Sequence, residues 1–481
     1  MLLIYKGLYH CNFDFYDYCC TAKLGQNHTS MVRRIQGNIL INTFLFMKRQ
    51  NKKACLAVVL LFPCVACAQQ RLELDNLFQL ADEQSVSIKA YAAAVESAQH
   101  DEAYAKSARL PDVGATVSVG FLGDGVISNR DFGAWQHVDN PHFMNNFALK
   151  AQQIVYSGGA ISSRMAIAGL NTQMARLDYV RNRQEIRFLI ASHYLDLCRI
   201  ENRLEVVEKN IGLTEKVLDN TKARYRQGTA LKTDITRYEL QLETLRLQLT
   251  KLSASQAVIS HQLSNMLHLD CEMIIATNLD TLKRQCIAGE EAGWQMAAAE
   301  NNAHLKLARL SVEMNEQKVK LEKSVLLPKI SIVAEEHFDG PITTEVPVLN
   351  KNINYWFAGI GVSYDLSALY KGNKKIRQSK ASLRQSRELF SETAEHTADA
   401  VKSAFVDYTT AKSELATQMK SVELADERYK VTENRYNNGL ALLTDMLDAS
   451  NSKLAAELSL VDANINIIYH YYKLKFLSCS L

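Results

Sequence analysis

Two long parts of the chain carry apolar residues at alternating steps of four and three, the spacing that forms a seam along a helix. Each seam runs out, meets a turn and returns. The seams lie at residues 186–225 and 235–266, and again at 401–436 and 446–474. We therefore predict two long helical hairpins, residues 160–267 and 370–477. Residues 162–225 alone, as one helix, would be about 95 Å long.

A second period, of two residues, precedes each predicted hairpin. Between Asp112 and Phe121, apolar residues alternate strictly with polar residues and glycines, which indicates a strand with one apolar face. We predict strand hairpins at residues 112–156 and 328–366, with strands of the length that crosses a bilayer. Four strands cannot close a barrel, and lipid does not tolerate an open sheet edge. Strands that span a membrane would therefore need several chains; the alternative is two amphipathic hairpins on a soluble core.

The turn of the first helical hairpin, ARYRQGTALKTD, has a counterpart in the second, NRYNNGLALLTD. Matching residues lie 211 positions apart, since 435 − 224 = 211. This repetition predicts a duplicated chain: a first repeat at 69–290 and a second at 291–481, each with a helix, a strand hairpin and a helical hairpin. A linker ends the first repeat. The seven ungapped identities are Arg224, Tyr225, Gly228, Ala230, Leu231, Thr233 and Asp234 with Arg435, Tyr436, Gly439, Ala441, Leu442, Thr444 and Asp445.

Residues 47–68 read as a secretory signal peptide. A basic segment from Met47 is followed by an apolar run and by Ala66-Cys67-Ala68, a small-residue cleavage pattern. Residues 1–46 are accordingly interpreted as a non-native N-terminal extension. Cys67 is a weaker candidate for lipidation, because the residues before it lack the usual leucine.

Composition and motifs limit the classes of function that this chain can have. The 481 residues include 55 basic and 52 acidic side chains, a balance that does not suggest nucleic-acid binding. The segment from Gln69 onward shows no Gly-rich phosphate loop, zinc-ligand spacing or nucleophile motif. We therefore expect no enzymatic activity, no cofactor and no metal site.

Taken with the signal peptide, the duplication and the paired strands, the two RYxxG…TD motifs resemble those of the TolC-like outer membrane efflux family. The resemblance covers nearly the whole chain from Gln69 to Leu481. It implies a mainly α fold with a β-barrel part: a homotrimer whose twelve-stranded barrel in outer-membrane lipid, four strands per chain, continues as an α-helical barrel in the periplasm. It also implies a duct of a tripartite efflux pump or type I secretion system, which exports small molecules or proteins. Its partners would be a periplasmic adaptor and an inner-membrane transporter.

The resemblance further implies that the repeated turns are periplasmic tips that close the pore. The gate positions would be Thr233, Asp234, Tyr436, Asp445 and Asp448. The tip turns would be formed by Arg224, Tyr225, Gly228, Arg435 and Gly439.

Two points leave the gate assignment open. Family members with a well-described closed-state lock carry an arginine where this chain has Ala441, which puts a lock between that position and Tyr436 in doubt. In addition, Thr233 and Thr444 could simply cap the return helices, with the aspartates placed favourably in the first turn.

One alternative function belongs to another class: a periplasmic coiled-coil adaptor or structural envelope protein. Adaptors also combine a signal peptide with a long helical hairpin. They usually have one such hairpin between β-rich domains, whereas this chain has two and no β-rich flanks.

Overall fold

The computed structural model describes residues 74–269, 282–283, 286–345 and 347–481. The chain divides into two units, residues 1–68 and 69–481, and every described residue belongs to the second. The predicted extension 1–46, the predicted signal peptide 47–68 and Cys67 lie outside the described residues, as does part of the linker.

Long helices dominate the described chain, as predicted. The helices are α1 (Leu74–Gln84), α2 (Val86–Ser107), α3 (Ala160–Arg226), α4 (Lys232–Met266), α5 (Glu291–Asn301), α6 (Ala303–Ser324), α7 (Ala368–Asn437) and α8 (Leu443–Leu477). The strands are β1 (Asp112–Phe121), β2 (Gly125–Ile127), β3 (Gln136–Val138), β4 (Phe143–Tyr156), β5 (Lys329–Gly340) and β6 (Ile353–Ser363). With 67 and 70 residues, α3 and α7 are each about 100 Å long.

The first helix of each half is interrupted, which the sequence did not reveal. The sequence predicts one helix at the start of each repeat, but Ser85 leaves helical geometry with ψ 122° and separates α1 from α2. Asn302 does the same between α5 and α6, and its side chain accepts hydrogen bonds from the N–H groups of His304 and Leu305. The breaks lie 217 residues apart (302 − 85 = 217), the offset that also relates Pro111 to Pro328.

The four long strands form one antiparallel sheet in the order β1-β4-β5-β6. The central pair, β4 and β5, joins the two halves of the chain, with Phe147 opposite Phe338. Strands β1 and β6 are therefore the edges of the sheet within one chain. The loop between β1 and β4 contains the small hairpin β2-β3.

One face of this sheet is apolar and exposed. The register places Val117 beside Phe147, Phe147 beside Phe338, and Ile332 beside Ile360. Every residue of β1 is exposed, and Trp356 on β6 is 78% exposed. The described chain leaves this face without a covering layer, so the alternative of hairpins packed on a soluble core is wrong.

The helices bury their seams against one another. Helix α3 packs on α4 and α8, and α7 packs on α8 and α6. The largest buried cluster lies well away from the turns and brings together Leu77, Tyr194, Leu197, Leu263 and Ile468. Among the helices that the structure describes, none is both long enough and apolar enough to cross a membrane.

Candidate functional site at the helical tips

Each helical hairpin turns at a glycine with left-handed backbone geometry. Gly228 has φ +78° and Gly439 has φ +72°. After α3, the Gly228 N–H donates to the Tyr225 carbonyl at 2.9 Å, and the Thr229 N–H donates to the Arg224 carbonyl at 2.9 Å. This bonding satisfies the last carbonyls of a helix in a Schellman turn, which needs the positive φ that glycine adopts without strain.

The two motif aspartates begin the return helices. The Asp234 carboxylate accepts the Leu231 N–H at 3.0 Å, and the Asp445 carboxylate accepts the Leu442 N–H at 3.1 Å. Each carboxylate thereby satisfies a donor that the helix start would otherwise leave unpaired, and its charge complements the helix dipole. The proposal that threonine caps these helices is wrong, because Leu231 occupies the N-cap and Thr233 lies exposed inside the first turn.

Arg224 connects the two tips. Its Nη1 donates to the Tyr436 carbonyl oxygen at 3.2 Å, and its guanidinium carbon lies 5.0 Å from the centre of the Tyr436 ring. Tyr436 is 8% exposed. Although Ala441 carries no guanidinium, a cation–π contact with Tyr436 is present, supplied by the first half of the chain.

Behind this contact is a small apolar core, the tip cluster: Leu218, Tyr238, Leu242, Tyr429, Tyr436, Leu443 and Met446. It is rich in tyrosine. Burial raises the pKa of Tyr429 to about 12, and Glu433 adds to the shift, so this phenol stays neutral. The Tyr238 hydroxyl is buried and makes no hydrogen bond within the described chain. A buried hydroxyl without a hydrogen-bond partner is unfavourable, so this group lowers the stability of the tip cluster.

Charged groups surround the tip cluster. Asp448 pairs with Arg428 at 2.5 Å across the second hairpin, and both side chains are exposed. Asp426 accepts hydrogen bonds from Lys430 and Lys453, each at 2.6 Å, which lower its pKa to about 2. Arg428 and Lys453 were missed at the sequence level, since neither belongs to the repeated motif.

The structure thus brings the predicted residues to one end of the two hairpins, in different roles. Tyr436 and Arg224 meet directly, and Gly228 and Gly439 form the turns. Asp234 and Asp445 bond to their own helix starts. Tyr225, expected on the seam, is 45% exposed, and Arg435 donates to the Leu440 carbonyl within its own turn at 3.5 Å.

The family model described as outer membrane efflux protein matches residues 77–267 and 294–477. These segments include the long hairpins, the tips and the strands. The chain belongs to this family.

Individual relatives of this efflux protein are distant. Outer membrane efflux protein BepC of Brucella suis biovar 1 (strain 1330) is 21% identical over 329 residues, which cover 68% of this chain and 70% of BepC. The solved structure of VceC from Vibrio cholerae superposes with TM-score 0.70 at 16% identity, covering 84% of this chain and 95% of VceC. The CmeC outer membrane channel of Campylobacter jejuni gives TM-score 0.69 at 12% identity, with 85% of each chain covered.

Family membership confirms the predicted class of function. The chain is an outer membrane efflux protein, and its family is not enzymatic. The alternative of a periplasmic adaptor or structural envelope protein is therefore set aside. At such low identity the solved structures support the fold alone.

Proposed function

We propose that three copies of the efflux protein close one barrel and one duct. Three chains of four strands give a twelve-stranded barrel in the outer membrane, and their long helices continue it through the periplasm. A periplasmic adaptor and an inner-membrane transporter would complete a tripartite pump or type I secretion system. Its cargo would be small molecules or proteins.

The observation that carries this proposal is the four-stranded sheet with two open edges and an exposed apolar face. Pairing β1 of one chain with β6 of the next removes both edges, as lipid requires. The apolar face, with Val117, Phe147 and Trp356, then meets lipid.

The opposite face of the sheet is suited to water. Lys150 pairs with Glu335 at 2.6 Å, and the Asn146 amide donates to Asp339 at 2.5 Å. His337 lies between the two acids, with Nε2 3.3 Å from Glu335 and Nδ1 3.8 Å from Asp339. Such a charged row would be costly in lipid and is typical of a barrel interior.

The oligomeric state and the channel can be tested with purified protein in detergent. We expect a mass of three chains by light scattering, and discrete conductance steps in a planar bilayer. A channel-forming monomer would disprove shared closure of the barrel. A soluble monomer without detergent would contradict the lipid-facing sheet.

The gate proposal concerns Thr233, Asp234, Tyr436, Asp445 and Asp448. The exposed Asp445 and Asp448 lie one turn apart on α8, so three chains would place six carboxylates around the narrow end of the duct. That ring would attract cations and hold multivalent ones. Tyr436, through Arg224, would hold the two hairpins of each chain together in the closed state.

Asparagine substitutions test the ring without removing the helix cap, because asparagine keeps an acceptor oxygen. We expect Asp445→Asn with Asp448→Asn to reduce cation selectivity and blockade by multivalent cations. Asp399→Asn is the control, because Asp399 is an exposed aspartate on α7 that lies far from the tip. Equal reversal potentials in the double variant and the control would remove the ring from the proposal.

A further inference from the structure

The loop between β1 and β4 holds a small built structure at the end of the sheet remote from the long helices. Strands β2 and β3 pair antiparallel there, with Gly125 opposite Val138 and Val126 opposite His137. This pairing brings residues that precede β2 next to residues that follow β3. Asp124 therefore lies beside Asp139, although 15 positions separate them (139 − 124 = 15).

Three side chains converge at the open end of this hairpin. Asp124 Oδ2 lies 3.9 Å from His137 Nε2, and that nitrogen lies 4.0 Å from Asp139 Oδ1. One ligand atom from each residue falls within 4.8 Å of the other two. The three side chains are exposed, so an ion can reach them from solvent.

Neighbouring groups hold Asp124 in place. Its Oδ1 accepts the Asn140 backbone N–H at 3.1 Å, and the Asn140 side chain donates to the Gly123 carbonyl at 2.8 Å. His142 Nδ1 lies 3.9 Å from Asp124 Oδ1 and 3.1 Å from the Leu122 carbonyl, while its ring stacks on Phe121. Outer contacts of this kind orient the ligands of metal sites.

We propose that Asp124, His137 and Asp139 bind a divalent transition-metal ion, of which Zn²⁺ is the natural probe. One imidazole nitrogen and two carboxylate oxygens are a donor set that zinc accepts. In a tetrahedral site with bonds of about 2.1 Å, ligand atoms lie about 3.4 Å apart. The two distances from His137 to the aspartates, 3.9 and 4.0 Å, exceed this value by about half an ångström, and the two carboxylate oxygens lie within 4.8 Å of each other. Side-chain rotations of these exposed residues can bring the three ligand atoms together.

The donor set also sets the preference among ions. Two carboxylates balance the charge of a divalent cation, and the imidazole favours zinc, nickel or copper over calcium and magnesium, which prefer oxygen alone. The spacing of potential ligands along the chain indicated no metal site. Here the ligands come from both sides of a hairpin that was not predicted.

Metal binding would fasten the two ends of the hairpin together. The bound ion would link the segment before β2 to the segment after β3 and restrict the motion of the loop. In the proposed function this loop lies at the external mouth of the channel. That side assignment rests on the proposed function, whereas binding itself does not.

Calorimetric titration of the purified full chain in detergent with ZnCl₂, after treatment with EDTA, tests the site. We expect one Zn²⁺ per chain in the wild type, and an affinity at least about tenfold lower in His137→Ala, since loss of an outer partner alone has that effect. His396→Ala is the matched control, because His396 is an exposed histidine 3.7 Å from a single carboxylate, Glu392. Asp139→Asn provides a second variant, which removes one carboxylate while nearly keeping the shape of the side chain.

The outcomes separate cleanly. Tight zinc binding that is lost in His137→Ala and Asp139→Asn but kept in His396→Ala supports the proposal. Absent binding, or equal affinity in all four proteins, overturns it. Calcium that binds as tightly as zinc would overturn the assignment to a transition metal.

Discussion

The contact between Arg224 and Tyr436 should hold the two hairpins of each chain together at the tip. Arg224→Ala removes a hydrogen bond of 3.2 Å from a charged donor and a cation–π contact of 5.0 Å. Both groups are at least partly buried. Together these interactions contribute about 1–2 kcal/mol after solvent screening. A difference of that size shifts a two-state ratio by about 5–30-fold.

We therefore expect Arg224→Ala to raise the ratio of open to closed channels about 5–30-fold, read as open probability in single-channel recordings. Tyr436→Phe should stay near the wild type, because it keeps both the ring and the carbonyl oxygen. Arg226→Ala, at an exposed arginine in the same helical turn, is the charge-matched control. If Arg224→Ala and Arg226→Ala gave the same open probability, the contact would not contribute to closure.

Two further predictions concern stability. Lys430 and Lys453 hold the pKa of Asp426 at about 2, below the usual 3.8. A carboxylate with a lowered pKa in the folded state stabilises the fold at pH values above its pKa in the unfolded chain. This contribution should therefore be complete near pH 5 and should decline as the pH falls from about 4 to 2. Asp426→Asn should flatten that part of the pH dependence of thermal unfolding, and an unchanged slope would refute the pairing. Gly228→Ala should destabilise the fold by about 1–2 kcal/mol through the left-handed backbone alone, since no atom lies within 4 Å of an added Cβ. Gly212→Ala, inside α3 with equal space, should instead stabilise by about 0.5–1 kcal/mol; a lower melting temperature for both would contradict the explanation.

The local pattern of the sequence was sufficient to predict the long hairpin helices and the strand β1. The step of four and three predicted hairpins at 160–267 and 370–477, and the described helices span Ala160–Met266 and Ala368–Leu477. Strict alternation predicted β1, and glycine predicted both turns. These predictions succeed because they depend only on the periods of helices and strands and on the backbone freedom of glycine.

Features that depend on short segments could not be predicted from the sequence. Strands β2 and β3 have three residues each, too few to show a period. The breaks at Ser85 and Asn302 carry no proline or glycine and lie inside otherwise helical sequence. The helix cap is also decided by a few residues: Thr233 was one candidate for it, whereas Leu231 occupies the N-cap and Asp234, three residues further on, accepts its N–H.

From the sequence alone, the repeated motifs and the periodicities predict a duplicated chain of long helical hairpins and amphipathic strands. The folded structure was needed to show which partners meet across the halves: β4 with β5, and Arg224 with Tyr436, which lie 212 residues apart. It likewise decided that Asp124, His137 and Asp139 share one hairpin end. The physical reason is that periodicity reports the environment along one element, whereas a contact depends on how separate elements are placed in space.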